Sequence, residues 1–417
     1  MKQIYFPTLL LCLLNAGLLS AQNPGCDGVR YKADVFTGVK KTTVEYAPTI
    51  GQTGFPLNLS MDVYEPIGDN LSARPVVILE HGGSFIFGDK SLMQPYCELL
   101  ARKGYVAASI QYRLFPFFLL GIPDSFDIMD TAVKAVGDMK AAVRYFREDA
   151  ATANLFHADP ANIFIGGYSA GAVAALHTAY LDDNDVLPAF IETLLVNNGG
   201  LEGSSGTTSN FTYSSESKAV VNMSGGLYRR EWINAPGIPM VSIHGTADAT
   251  VPYLSGLAAN IAYLEGSGLL HPQAEAAGVW NNLLTVPGGG HTDIYGQPQF
   301  AAQLAEFWVN ATDLLESLTC QIVLVQLPIS LASPDNMVVY PNPATANGTA
   351  IMLPAPMKIA DVTILDATGR VILTRKNYRS QEKLELKGLP NGVYSVQVMD
   401  VENPENGMAA KPLLIQN

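Results

Sequence analysis

Ser169 stands between two glycines in Gly167-Tyr168-Ser169-Ala170-Gly171, where an apolar run beginning at Asn162 meets a helix-forming run ending at Tyr180. A strand-to-helix turn tight enough to expose a serine hydroxyl leaves no room for flanking side chains, and glycines answer that need. The hydroxyl would stand at the carboxyl end of a sheet, close to the positive end of a helix. The chemistry open to such a serine is attack on an acyl carbon. That reaction needs a base to take the hydroxyl proton, an acid to orient the base, and N–H donors for the oxyanion.

The partners occur in a consistent order. Asp248 follows the apolar run Pro239 to His244, and His291 follows Asn282 to Val286 within Pro287-Gly-Gly-Gly-His-Thr-Asp293. In a parallel sheet the order serine, acid, histidine puts each on a loop after a successive strand. An aspartate after a strand often serves only as a helix N-cap; its place between Ser169 and His291 singles out Asp248. Of the six histidines, His157 and His271 read as surface residues in polar or proline-flanked segments. His177, on the helix behind the serine, reads as a core or surface residue, and His244 as a support for the Asp248 loop. His291 alone is placed to reach Ser169. Oxyanion donors are expected from the backbone of Ala170 and from Gly82, Gly83 and Ser84, because consecutive glycines let N–H groups converge on one point. No cysteine–histidine cluster has metal-ligand spacing, so no metal or cofactor is expected.

Extended and helical segments alternate around these residues. Lys41 to Tyr46 and Leu57 to Tyr64 read as paired strands, and Pro75 to Glu80, Tyr105 to Tyr112 and Ala219 to Met223 as further strands. Helices are expected over Ser91 to Lys103, Asp127 to Glu148 and Gln299 to Leu318. Such alternation predicts an α/β fold: a mostly parallel sheet with helices on both faces, binding ligands at the carboxyl ends of its strands. Near those ends, Leu114 to Gly121 is either a substrate-facing wall or a loop folded into the core, and Gly199 to Ser217 reads as a mobile surface loop. Phe85, Tyr168 and Phe117 are expected to line the pocket, whose apolar, aromatic character suits an uncharged ester.

The chain has 417 residues, 48% of them apolar, which suggests two domains. A net charge of −13 excludes nucleic acid as a partner. Lys2, the apolar run Leu9 to Leu19 and small residues at Ser20 and Ala21 predict a signal peptide over 1–21, too short in its apolar part to span a membrane. No later stretch reads as transmembrane. A catalytic domain over 22–326 and a linker over 327–337 would precede an all-β module over 338–417. The mature chain keeps Cys26, Cys97 and Cys320. A bridge between Cys26 and Cys320, which flank the catalytic domain, is the favoured pairing, with Cys97 a buried thiol.

The last module carries four ordered landmarks: Tyr340-Pro-Asn-Pro343, the Asp366 to Arg370 turn, Leu389-Pro-Asn-Gly-Val-Tyr394, and the tail from Lys411. Together they resemble the C-terminal sorting domain of the type IX secretion system of Bacteroidota. That resemblance implies engagement of the secretion machinery, export across both membranes, and a secreted or cell-surface destination after removal of the domain or attachment. Residues 40–318 resemble the α/β-hydrolase superfamily, in particular esterases with a His-Gly-Gly-x oxyanion-hole motif (carboxylesterase-like and hormone-sensitive-lipase-like). The matching residues are His81-Gly-Gly-Ser84, Tyr112-Arg-Leu114 and the Ser169 pentapeptide; Ser84 stands where a third glycine is usual. The resemblance implies Ser169 as nucleophile, His291 as base and Asp248 as its orienter. Gly83, Ala170 and either Gly82 or Ser84 would be the hole donors. The expected activity is carboxylic ester hydrolysis of lipase or esterase type through an acyl-enzyme. The alternatives are an acetyl or feruloyl ester on a polysaccharide, a peptide bond, or a non-catalytic binding role.

Overall fold

The computed structural model describes residues 25–320 and, further on, 337–345, 348–354, 357–366, 370–387, 389–401 and 408–415. The expected signal peptide and nearly all of the expected linker lie outside the described residues. The chain divides into two compact units, 1–324 and 325–417.

In chain order the strands of the first unit are β1 (Val39–Ile50), β2 (Pro56–Pro66), β3 (Arg74–Glu80), β4 (Val106–Ile110), β5 (Ala158–Tyr168), β6 (Val220–Met223), β7 (Gly226–Leu227), β8 (Met240–Gly245), β9 (Ser255–Ala258), β10 (Ala262–Gly266) and β11 (Asn281–Val286). An eight-stranded sheet runs β1-β2-β4-β3-β5-β6-β8-β11. β2 is antiparallel to both β1 and β4, and every later pair is parallel. All seven residues of β3 are buried, as a strand covered on both faces requires. Its alternating side chains separate into two cores: Val76 and Ile78 join Phe146 and Leu176 on one face, while Val77 and Leu79 join Leu100 and Phe307 on the other.

The helices are α1 (Gln94–Arg102), α2 (Phe117–Leu120), α3 (Ser125–Ala151), α4 (Ala170–Tyr180), α5 (Ala189–Asn197), α6 (Ser267–Ala276), α7 (Asp293–Gly296) and α8 (Ala301–Cys320). α3 begins with a capping box, in which the Asp124 carboxylate accepts from the Asp127 N–H and the Asp127 carboxylate from the Asp124 N–H. Gly199 to Ser217, expected to be mobile, is anchored instead. The buried Arg144 guanidinium of α3 donates to Asn210 Oδ1 (2.9 Å), the Ser205 carbonyl (3.0 Å) and Glu202 Oε2 (2.6 Å). Arg113 holds Ser204 Oγ at 3.2 Å. A buried guanidinium requires that many acceptors, and this loop supplies them.

The second unit is a small β-module with strand order β15-β14-β17-β18-β12-β13-β16. Its strands are β12 (Val338–Thr345), β13 (Gly348–Met352), β14 (Ile359–Leu365), β15 (Val371–Arg379), β16 (Lys383–Leu384), β17 (Gly392–Asp400) and β18 (Met408–Ile415). Val362, Ile364, Tyr378 and Val396 are among its buried core. Asp366 and Arg370 close their turn on each other through backbone and side-chain hydrogen bonds.

Cys26 and Cys320 form a disulfide across 294 residues, and Cys97 is a free, buried thiol. Closing so long a loop restrains the unfolded chain by on the order of 3–5 kcal/mol. Cys26→Ser is expected to lower the Tm by roughly 5–8 °C. An unchanged melting curve under non-reducing conditions would contradict the bridge.

Candidate active site

β5 ends at Tyr168 and α4 begins at Ala170, so Ser169 alone makes the turn, with φ 54° and ψ −119°. A Cβ on Gly167 would lie 2.5 Å from the Gly171 carbonyl carbon, and one on Gly171 would lie 2.2 Å from the Glu80 carbonyl oxygen. Only glycine fits at either position. The turn is held from both sides: the Ser169 N–H donates to the Met223 carbonyl and the Val173 N–H to the Ser169 carbonyl, each at 2.9 Å.

The three residues singled out in the sequence lie in one hydrogen-bonded row. His291 Nε2 is 2.7 Å from Ser169 Oγ, and His291 Nδ1 is 2.7 Å from Asp248 Oδ2. A carboxylate only accepts, so Nδ1 carries the proton and Nε2 accepts from the serine hydroxyl. The other Asp248 oxygen accepts from the N–H groups of Thr250 (2.8 Å) and Val251 (2.9 Å). Burial alone would favour the protonated acid; hydrogen bonds from His244, His291 and the Val251 N–H outweigh it and hold the carboxyl well below the usual carboxylate range.

Behind Asp248 runs a buried polar chain that the sequence reading found only at its first member. His244 Nε2 lies 3.3 Å from Asp248 Oδ2 and 3.0 Å from the Val251 carbonyl, and its Nδ1 lies 2.9 Å from Ser267 Oγ. Asn222 Nδ2 donates to Ser267 Oγ (3.1 Å) and Ser242 Oγ (2.9 Å). His271 joins Ser242 Oγ to Asn281 Oδ1, each at 2.8 Å. His271 is therefore buried, not at the surface as expected: α6 continues through Pro272 and packs it against β8 and β11. No local pattern marks it, because its partners come from distant strands.

The loop after β3 reaches the serine. A Cβ on Gly82 would meet Tyr168 Cδ1 at 2.8 Å and Ser169 Cβ at 3.1 Å. Gly83, at φ 128°, passes so close to the Phe87 carbonyl that a Cβ would lie 2.0 Å from its oxygen. Ser84 and Phe85 also have positive φ, 54° and 63°. Tyr112 fixes the loop from below, stacking on His81 and donating from its hydroxyl to the His81 carbonyl at 2.8 Å. Ser84 and Ala170 face one cavity together with Ser169.

Of the three expected pocket residues, Phe85 lines that cavity; Tyr168 and Phe117 do not. Tyr168 stacks on the His291 ring at 5.3 Å, donates to the His291 carbonyl at 3.2 Å, and meets the Tyr295 ring edge-on at 4.8 Å. Consecutive residues diverge at the strand end, so the neighbour of the serine holds the histidine instead of the cavity wall. Phe117 packs on Phe87 in the short helix α2, whose Phe118 and Leu119 are exposed. The segment from Leu114 therefore divides: Leu114 packs on the core and Phe115 is buried, Phe118 to Leu120 are exposed, and none of it lines the cavity.

A family model described as BD-FAE matches residues 61–228, and one described as the secretion system C-terminal sorting domain matches residues 338–407. The chain carries an α/β-hydrolase domain of the BD-FAE esterase family. The match takes in Gly82, Gly83, Ser84 and Ser169 and ends before Asp248. The sorting domain implies the type IX secretion machinery, and with it export to the cell surface or the medium. Among the described residues no helix is long and apolar enough to cross a membrane. Esterase-5C of Drosophila pseudoobscura pseudoobscura is 31% identical over 127 residues, 30% of this chain and 22% of that protein. Esterase-5A of Drosophila persimilis is 32% identical over 127 residues, with the same shares. The chain spans about a fifth of the length of these curated relatives. Among solved structures, Thermogutta terrifontis esterase 2 phosphorylated by paraoxon aligns with a TM-score of 0.48 at 22% identity, covering 66% of this chain and 93% of that one. Its butyrate-bound form aligns with a TM-score of 0.48 at 21% identity, covering 69% and 96%.

Burial pushes the His271 pKa down to about 4, with the Asn281 hydrogen bond opposing and His244 adding to the shift. The unfolded chain, with a histidine pKa of about 6.5, takes up this proton first. The stability that neutral His271 contributes is full above about pH 6.5 and falls with pH until it levels off near 4, a loss of at most about 3 kcal/mol. His271→Asn should flatten the dependence of Tm on pH across that interval. A variant declining as steeply as the wild type would refute the assignment.

Proposed function

We propose that the chain is an exported serine ester hydrolase that works through an acyl-enzyme on uncharged carboxylic esters. The observation that carries this reading is the row Ser169–His291–Asp248, with both of its hydrogen bonds at 2.7 Å, set against the Gly82–Ser84 loop. Ser169 Oγ attacks the ester carbonyl while His291 Nε2 takes its proton. Asp248, kept ionised by its donors, stabilises the imidazolium and holds its tautomer. The N–H groups of Gly83, Ser84 and Ala170 receive the developing oxyanion, each such donor being worth ~100- to 1000-fold in rate. His291 returns the proton to the leaving alcohol. Water then repeats the sequence to release the acid.

The apolar lining of the cavity beside Ser169 supports an uncharged acyl group. The sorting domain adds the context: passage through the type IX machinery and, as part of this proposal, removal of the domain after export.

Ser169→Ala is expected to abolish both turnover of p-nitrophenyl esters and labelling by a fluorophosphonate probe. A variant that still turns over at the wild-type rate would sink the assignment. Asp248→Asn should keep the fold and lose roughly 10⁴-fold in kcat, because the amide favours the wrong histidine tautomer. Near-full activity of that variant would remove Asp248 from the mechanism.

A further inference from the structure

The cavity beside Ser169 has a direction. It is walled by the hole residues Ser84 and Ala170, whereas His291 takes no part in its lining. His291 has to reach the leaving oxygen, so the alcohol departs on the histidine side and the cavity receives the acyl group. Its lining includes His177, two helical turns along α4 from Ser169, together with Tyr228 and Trp232. The Trp232 indole lies edge-on to His177 at 5.6 Å and against Tyr228 at 5.9 Å. The other side of Trp232 lines a separate crevice with Asp185, Arg229 and Glu231. Trp232, 4% exposed, is thus shared by the linings of both spaces.

We propose that this cavity selects an unbranched, wholly apolar acyl chain of about six carbons, and that Trp232 is the floor that sets its length; the size follows from apolar cavities of roughly 150 Å³ holding a benzene ring. The inference rests on the serine ester hydrolase reading and specifies its substrate. The free volume here is about 130 Å³, too small for a long fatty acyl chain and larger than an acetyl group needs. His177, the one imidazole in the lining, offers no free nitrogen. Its Nδ1–H donates to the Val173 carbonyl at 2.8 Å, and Nε2 accepts the Tyr228 N–H at 3.2 Å. Burial pushes its pKa down to about 4, so it stays neutral in the working range. A phenolic hydroxyl or carboxylate on the acyl group would lose its water there and find no partner, at a cost of roughly tenfold to a hundredfold in affinity. Each methylene seated should instead raise kcat/KM by about fourfold.

The test is a series of p-nitrophenyl esters from acetate to laurate, with feruloyl and succinyl esters beside them. The wild type should rise from acetate to about hexanoate and fall beyond it. Trp232→Ala joins the cavity to the outer crevice and should raise decanoate relative to butanoate by at least about tenfold. Because that variant removes a buried ring, Ala258→Phe serves as a second probe. Ala258 lies on the half-exposed strand β9 and lines the same cavity. Its variant should lose hexanoate relative to acetate. A preference for acetate or feruloyl esters in the wild type, or a chain-length profile moved by neither variant, would overturn the inference. Retained fluorophosphonate labelling of Ser169 in that case would leave the hydrolase reading standing; loss of labelling and of all ester turnover in the wild type would remove both.

Discussion

The backbone turn at Ser169 is the constraint from which the arrangement follows. A serine at φ 54° is strained, of order 1–3 kcal/mol, and persists only where its surroundings leave no alternative. Here the surroundings are backbone: the Glu80 carbonyl lies against the space a Gly171 side chain would need, and the Gly171 backbone against that of Gly167. That contact requires β3 and β5 to be neighbours in a fixed register, Leu79 beside Gly166 and Glu80 beside Gly167. The same register delivers the loop after β3 to the serine, which is why Gly82 has no room for a side chain. The Gly82–Ser84 loop and the Ser169 turn are therefore one steric unit. The alanines of α4 belong to it as well, since Ala172, Ala174 and Ala175 are all fully buried and let the helix sit close to the sheet.

An ionised Asp248 in this setting depends on a different kind of support. A buried carboxylate is tolerated when its lone pairs are filled, and breaking a buried charge network is costly. Two backbone N–H groups and two histidines meet this one, and the second histidine is tied through serine and asparagine side chains to β6, β8 and β11. The polar chain thus links the strands whose ends carry Asp248 and His291. Side chains within such networks have few alternative conformations, because each rearrangement leaves a buried group unpaired at about 1–3 kcal/mol. Orientation of the Ser169–His291–Asp248 row is in this way a property of the sheet and not of two separate loops.

How much of this was legible depends on whether the governing contacts are local. The glycine-flanked serine, the Gly82-Gly83 loop, the parallel strands and the order of Asp248 and His291 are all written in short runs, because turns and buried strands have local steric rules. His271 reads as a surface residue because Pro272 beside it suggests a break, whereas the helix accommodates the proline. Gly199 to Ser217 has the composition of a mobile loop, yet what holds it is Arg144 on another element. Adjacency to Ser169 points Tyr168 to the cavity, and the divergence of successive side chains sends it to His291. The cavity itself draws its walls from α3, α4, α5 and the β9–β10 hairpin, so no single stretch announces it.

The disulfide and the sorting domain are independent features that impose the same requirement. A bridge between Cys26 and Cys320 persists only where the surroundings are oxidising, as outside the inner membrane, and the type IX sorting domain directs the chain there. The bridge lies wholly within the first unit and restrains its unfolded state, whichever way the second unit is disposed of. Cys97, the remaining thiol of the described residues, is fully buried, and burial pushes its pKa well up. A protonated, inaccessible thiol neither exchanges with the bridge nor acts as a nucleophile. Export thus supplies the condition under which the bridge of the first unit persists, and the unit's own packing keeps its spare cysteine unreactive.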